Sequence, residues 1–307
     1  MARQTDRTDL HAVDESAAKL AGPEGGFPAQ EQDPPGLTTE MDPRPDHGEE
    51  TWLGYDRLHG LKALITGGDS GIGRAVAIAF AREGCDVALS YLPEEQSDAD
   101  DTRSWVEKAG RSCVLVPGDL QDEQTARSVV DDAAEQLGGL DIVVNNAGFQ
   151  WARRDGGIAD LTTDELDRIM KTNLYAMFWV TQQALRYLGR GASIINVSSI
   201  QAYDPSVSLI DYAATKAAIN NFTVNLAAEV GEKGIRVNAV APGPIWTPLQ
   251  PATKKADTMP TFGGDTPLGR AGQPVELAGA FVFLANPREA SYVTGTVLGV
   301  TGGKPVF

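Results

Sequence analysis

Ala63-Leu64-Ile65-Thr66-Gly67-Gly68-Asp69-Ser70-Gly71-Ile72-Gly73 runs from a short apolar stretch into a glycine-rich turn, and the pattern beyond it has a different period. Ile72, Val76, Ala79 and Phe80 recur at helical spacing, and the run stops at Gly84, a residue suited to a left-handed helix end. A buried strand that feeds a turn opening directly into a helix is the repeating unit of a parallel α/β sheet. Glycines lack Cβ, so backbone there can approach a pyrophosphate, and a helix starting near Gly71 presents free N–H groups and its positive dipole end. A tight turn with no ligand is the plainer reading, but the position between strand and helix favours a nucleotide. The spacing is TGxxxGxG rather than the three-glycine GxGxxG fingerprint.

Working outward from this turn, runs with strand character are Ala63–Thr66, Val87–Tyr91, Ser112–Val116, Ile142–Asn145, Ser193–Val197, Ile235–Val240 and Thr296–Val300. Thr162 with Glu165 forms a capping box that predicts one long helix running to about Leu188, and a second long helix is expected from about Ser208 to Val230. The fold class expected is α/β: a single Rossmann-type, doubly wound parallel sheet of about seven strands flanked by helices over residues 59–307. Residues 1–58 read instead as an extended, partly disordered N-terminal arm. Pro23, Pro28, Pro34, Pro35, Pro43 and Pro45 break any periodicity there, and 13 acidic residues outnumber five basic ones. Trp52, Leu53 and Tyr55 offer apolar anchors, so residues 25–58 are expected either as a loose tail or as a strap packed on a neighbouring subunit.

Composition narrows the function. The 307 residues carry 26 Lys and Arg against 42 Asp and Glu, a net charge of −16, which argues against binding a nucleic-acid backbone or an anionic membrane surface. Two cysteines, Cys85 and Cys113, supply neither a disulfide framework nor a thiolate metal site, and a reducing cytoplasm is expected. No signal peptide or membrane span is legible. His11, His47 and His59 all precede residue 60, so neither a Ser-His-Asp hydrolase nor a histidine-ligated metal centre fits the main domain. Gly68-Asp69-Ser70-Gly71 resembles a serine-protease nucleophile loop only superficially, since no domain histidine could activate Ser70. No metal ligands are expected.

The second strand ends at Tyr91 and Leu92, where an acid would bind the ribose hydroxyls of NAD and a base the extra phosphate of NADP. Neither stands there. Arg74 is the only base near the turn and Glu94 and Glu95 follow closely, so NAD versus NADP is left open. Tyr212-Ala213-Ala214-Thr215-Lys216 places a phenol and an ammonium four apart on one helix face. A lysine so placed is expected to lower the tyrosine pKa toward the working pH, as acid–base catalysis requires.

Taken in order, the Thr66–Gly73 turn, Asp119-Leu120, Asn145-Asn146-Ala147-Gly148, Ser198-Ser199 and Tyr212…Lys216 resemble the motif set of the short-chain dehydrogenase/reductases, over about residues 60–307. The interval of 13 from Ser199 to Tyr212 matches the family's serine-to-tyrosine spacing and selects Ser199 over Ser198. The resemblance implies catalytic roles for four residues. Tyr212 would be the general acid or base, Ser199 the hydrogen-bonding partner of the reacting oxygen and Lys216 a ribose ligand. Asn173 would hold a relay water. It implies NAD(P)(H) contacts from Gly67, Asp69, Ser70, Gly71, Ile72, Gly73, Tyr91, Leu92, Asp119, Leu120, Asn146, Ala147, Gly148, Tyr212, Lys216, Pro242, Gly243, Ile245 and Thr247. The arm, with Thr66–Arg74 and Tyr91-Leu92-Pro93-Glu94-Glu95, is similar to a bacterial branch of stress-associated, aldehyde-reductase-like members. That branch implies a cytoplasmic homotetramer with the arm wrapped on a neighbour. The reaction implied is hydride transfer between nicotinamide and a small carbonyl or alcohol substrate. The rival reading is a dinucleotide-sensing or scaffold protein on the same fold. The stretch Trp246–Gly272 is expected to form a substrate lid whose composition does not choose among aldehydes, sugars and ketones.

Overall fold

A computed structural model describes residues 22, 23 and 25–307. Seven parallel strands form one sheet in the order β3-β2-β1-β4-β5-β6-β7: β1 Lys62–Thr66, β2 Asp86–Tyr91, β3 Cys113–Pro117, β4 Ile142–Asn145, β5 Ser193–Val197, β6 Arg236–Pro242 and β7 Val297–Val300. The helices are α1 Gly71–Arg82, α2 Gln96–Lys108, α3 Glu123–Leu137, α4 Thr163–Met170, α5 Ala176–Ala184, α6 Ile210–Val230, α7 Leu249–Thr253 and α8 Val275–Ala285. Alternate strand residues point to opposite faces, so Ala63 and Ile65 of β1 pack with Val76 and Phe80 of α1 and Phe281 of α8. Leu64 of the same strand packs on the other face with Val130 of α3, Val180 of α5 and Leu226 of α6. Both faces of the sheet are covered, which is why the strands read as continuous apolar runs.

Two differences from the sequence reading matter for the site. The single helix expected from Thr162 to Leu188 begins with its capping box, but a π turn at Lys171–Tyr175 separates α4 from α5, and α5 ends at Ala184. Such a turn leaves no mark on hydrophobic periodicity and tends to occur at functional sites. The arm is the second difference. Residues 1–21 and 24 lie outside the described residues, but residues 25–58 lie against the body of their own chain. The Gln32 amide donates to the Pro251 carbonyl at 3.0 Å, and the Thr38 amide to Asp98 at 2.7 Å. The Val275 amide donates to the Asp46 carbonyl at 3.0 Å, and Arg82 donates to the carbonyls of Gly48 and Trp52. Glu83, fully buried at the end of α1, accepts from the amides of Tyr55 and Arg57 and from the Arg57 guanidinium, which holds its carboxyl below the usual range. Polar backbone without a regular partner has to be satisfied somewhere, and here the arm is satisfied by the chain it belongs to. Residues 25–58 therefore do not form a loose tail, and the apolar anchors Leu53 and Tyr55 stay exposed on the outside of the arm.

Candidate active site

The C-terminal ends of the strands open onto a cavity of about 440 Å3. It lies where the strand order reverses between β1 and β4, the place where open α/β sheets bind ligands. Gly67, Asp69, Ser70, Gly71 and Ile72 form its floor. Gly73 lies behind them, where a Cβ would stand 1.9 Å from the Gly67 carbonyl oxygen, and Gly71 has φ +50°. The turn closes only with glycine at both positions. No side chain caps α1, so its first amides are available to an anion in the cavity.

The remaining expected cofactor residues line the walls: Tyr91 and Leu92 at the end of β2, Asp119 and Leu120 beyond β3, Asn146, Ala147 and Gly148 beyond β4, and Pro242, Gly243, Ile245 and Thr247 at and beyond the end of β6. Asn146 is also a latch. Its side-chain amide donates to the carbonyls of Thr66 and Gly67, both at 2.9 Å, while its own amide and that of Ala147 donate to the Thr66 hydroxyl at 3.0 Å. This ties the end of β4 to the glycine turn.

Ser199, just after β5, and Tyr212 and Lys216, one turn apart on α6, share one wall of the same cavity. The Ser199 hydroxyl accepts from the Gln201 amide at 3.1 Å and lies near enough to Tyr212 to influence its titration, whereas the Ser198 hydroxyl is committed to the Lys216 carbonyl at 3.2 Å. Burial pushes Tyr212 up to about 12, with Ser199 pulling the other way. Burial also pushes Lys216 down to about 7. The lysine was expected to depress the tyrosine; here the balance is the opposite. Lys216 Nζ donates to the Val197 carbonyl at 2.8 Å and stands 5.3 Å from the tyrosine ring centroid, and desolvation dominates both groups.

Asn173 sits on the π turn and does not line the cavity. Its Oδ1 accepts from the Phe149 amide at 2.7 Å, and its Nδ2 donates to the Phe149 carbonyl at 2.8 Å and to Thr215 Oγ1 at 3.1 Å. Both amide protons are used within the protein, so the side chain itself braces the loop beyond β4 against α6. Thr215 in turn donates to the Tyr212 carbonyl at 2.7 Å.

Several residues that line the cavity were not named from sequence as catalytic or cofactor residues. Pro35 of the arm, Glu95, Gln150, Arg168 and the lid residues Lys254 and Phe262 all line it. Arg168 lies 3.8 Å over the Phe149 ring, and Lys254 lies 4.9 Å over that of Phe262. Glu95 carried a signal in its closeness to the end of β2. Pro35 carried none, because its approach depends on the path of the whole arm. The lid root is Trp246, fully buried, stacked on Phe27 at 3.8 Å between centroids and donating through Nε1 to the Pro43 carbonyl at 2.8 Å. Among the described residues no group of His, Cys, Asp and Glu could hold a metal ion, and no helix is long and apolar enough to cross a membrane.

Residues 67–304 match the family model described as Enoyl-(Acyl carrier protein) reductase. The chain is 56% identical over 281 residues to the uncharacterized oxidoreductase YghA of Escherichia coli K12, covering 91% of this chain and 95% of that protein. It is 42% identical over 277 residues to the chloroplastic NADPH-dependent aldehyde reductase 1 of Arabidopsis thaliana, covering 89% and 96%. A short-chain dehydrogenase from Burkholderia cenocepacia J2315, solved in complex with NADP, superposes with a TM-score of 0.74 at 36% identity, covering 81% of this chain and 99% of that one.

Proposed function

The chain belongs to the short-chain dehydrogenase/reductase family, and from that premise we propose that it is an NAD(P)(H)-dependent oxidoreductase acting on a small carbonyl or alcohol substrate, with Tyr212 as the proton donor. The carrying observation is that the glycine turn and the Ser199–Tyr212–Lys216 wall face one cavity. The fit of a dinucleotide rests on the uncapped start of α1 and on the close approach that only glycine permits at position 73.

When bound, the nicotinamide supplies or accepts the hydride. The protein's share is the proton and the charge. Tyr212, buried and holding its proton at neutral pH, is set to donate to an oxygen that gains negative charge, which makes carbonyl reduction the direction proposed. Ser199 is placed to hydrogen-bond the same oxygen. Lys216, close to neutrality at physiological pH, returns protons to the wall through its position beside Tyr212. Asn173 is a positioning residue that fixes α6 through Thr215. The lid over residues 246–272 and the loop from Phe149 close the substrate end, whose cations and amides suit a polar aldehyde or ketone. A cytoplasmic homotetramer belongs to the same reading, supported by exposed Tyr175, Phe178 and Tyr187 on neighbouring helical faces.

The test is a titration of the purified protein with reduced dinucleotides, followed by loss of nicotinamide absorbance against a panel of aldehydes and ketones. Tyr212→Phe should keep dinucleotide affinity within about threefold and lower turnover by about 10²–10⁴-fold. Unchanged turnover in that variant would refute the role of Tyr212. Binding without turnover by the wild-type protein would favour a sensor.

A further inference from the structure

The basic side chains that line the cavity are Arg168, Lys216, Lys254 and Lys304. Lys216 donates to the Val197 carbonyl at 2.8 Å, and Lys304 is paired with Asp265 at 2.5 Å. Arg168 is exposed on α4, its guanidinium lying over the Phe149 ring. Lys254 differs from these three. It is half-buried, and among the described residues its ammonium has no hydrogen-bond or carboxylate partner; it rests over the face of Phe262, 4.9 Å from the ring centroid. A charge drawn out of water without a partner is costly. The backbone that carries this one is pinned on both sides. The Lys254 amide donates to the Gln250 carbonyl at 3.0 Å, and its carbonyl accepts from Arg153 Nε at 3.1 Å. Burial lowers the Lys254 pKa and Asp265 pulls the other way; an anion bound beside the amine favours its charged form.

Lys254 lies within a small molecule's reach of the reacting wall. A Cβ at Gly148 would stand 3.6 Å from Lys216 Nζ, which sets the loop beyond β4 against that wall. Gln150 follows two residues on, a span of at most about 7 Å of chain. Its Nε2 donates to Thr253 Oγ1 at 3.0 Å, on the residue next to Lys254. The chain as a whole has a net charge of −16, so its overall field does not draw anions in. A single uncompensated cation under the lid acts locally, on whatever occupies the cavity beside it.

We infer that Lys254 reads an anionic group on the substrate, so that the compounds reduced are carbonyl acids, bearing a carboxylate or a phosphate at the end remote from the carbonyl. The inference rests on the reading of the cavity as a carbonyl-reducing site and names which polar substrates that site takes. With the carbonyl oxygen at Tyr212 and Ser199, the anion lies at Lys254, where the ammonium gives it a charge-assisted hydrogen bond. A neutral aldehyde of the same length leaves the ammonium unpaired, so the site discriminates by charge more than by shape.

Two matched pairs test this with the full chain, reduced dinucleotide present and salt fixed: 4-oxobutanoate against butanal for a carboxylate, and glyceraldehyde 3-phosphate against glyceraldehyde for a phosphate. In at least one pair kcat/KM should favour the anionic member by about tenfold or more, mainly through KM. Lys254→Met, checked for folding by its melting curve, should bring that ratio to about threefold or less, and Lys254→Arg should keep it. The pair that responds tells carboxylate from phosphate. Ratios near one in both pairs, or a preference that survives in Lys254→Met, overturn the anion reading and leave the oxidoreductase standing. A second readout needs no turnover: the anionic member should raise the melting temperature of the wild type and of Lys254→Arg but not of Lys254→Met. That shift without reduction of any compound keeps the anion site and overturns the oxidoreductase. Neither shift nor reduction overturns both.

Discussion

The two ends of the cavity are built by different means. The dinucleotide end is assembled from the tips of adjacent parallel strands and one tight turn, within a continuous apolar core, so its geometry follows from sheet register and glycine spacing. The lid end is assembled from irregular chain, held by contacts between segments 98 to 225 residues apart in sequence. The Trp246 indole bonds to the Pro43 carbonyl and stacks on Phe27, Arg153 donates to the carbonyls of Gln32 and Pro251, and the Ala256 amide donates to Glu31. Met41, Met259 and Ala271 complete a small satellite core there, separate from the two that cover the sheet. The first end is therefore set mainly by the sheet and its glycine turn, and the lid end mainly by packing against the arm.

This contrast can be broken by mutations that separate the two ends. Trp246→Ala removes the largest fully buried side chain and should cost about 3–5 kcal/mol in denaturant unfolding. It should also raise the KM for a carbonyl substrate and expose the arm to protease, with affinity for the reduced dinucleotide within about twofold of wild type. Equal loss of dinucleotide and substrate binding would show that the ends are not separable. Gly73→Ala acts at the other end. Its Cβ would meet the Gly67 carbonyl, so the turn must open, with a stability loss of about 1–3 kcal/mol. Dinucleotide affinity should fall while protease resistance of the arm is kept; retained dinucleotide binding would remove the turn from the site.

A smaller effect sharpens the corner where the carboxyls of Asp69 and Glu95 line the cavity beside β2. Glu95 holds its proton more firmly when folded than when unfolded, because of burial and the nearby Asp69, Asp98 and Glu94. A carboxyl raised in this way lowers stability as pH rises from its ordinary value near 4.5 toward its folded one. The stability difference between Glu95→Gln and wild type should therefore grow in the variant's favour between about pH 5 and pH 8, measured by melting without dinucleotide. Titrating groups remote from Glu95, including His47, Glu49 and Lys216, are common to both proteins and drop out of the difference. A difference that is flat with pH would contradict the raised carboxyl.

The resemblance placed the family, and the alternation of runs placed the sheet, with β4 and β5 starting and ending at the residues read from sequence. Register and helix order then brought the separate motifs to one face. The π turn at Asn173, the intramolecular path of the arm, the burial that lifts Tyr212 and lowers Lys216, and the unpartnered Lys254 were not legible. Each depends on which groups lose water and which find partners, and spacing along the chain carries no information on either.

Sequence by itself determined what is local: the strand that feeds the glycine turn, the helix that starts behind it, and the tyrosine and lysine one helical turn apart. These follow from backbone sterics and from periods of two and 3.6 residues, which act over a few positions. Tertiary structure alone decided the chemistry of the cavity. It set how far each titrating group is removed from water, which cations find a partner, and which is left open to a ligand. Desolvation and charge pairing depend on distances between segments far apart in the chain, and only the folded molecule fixes those distances.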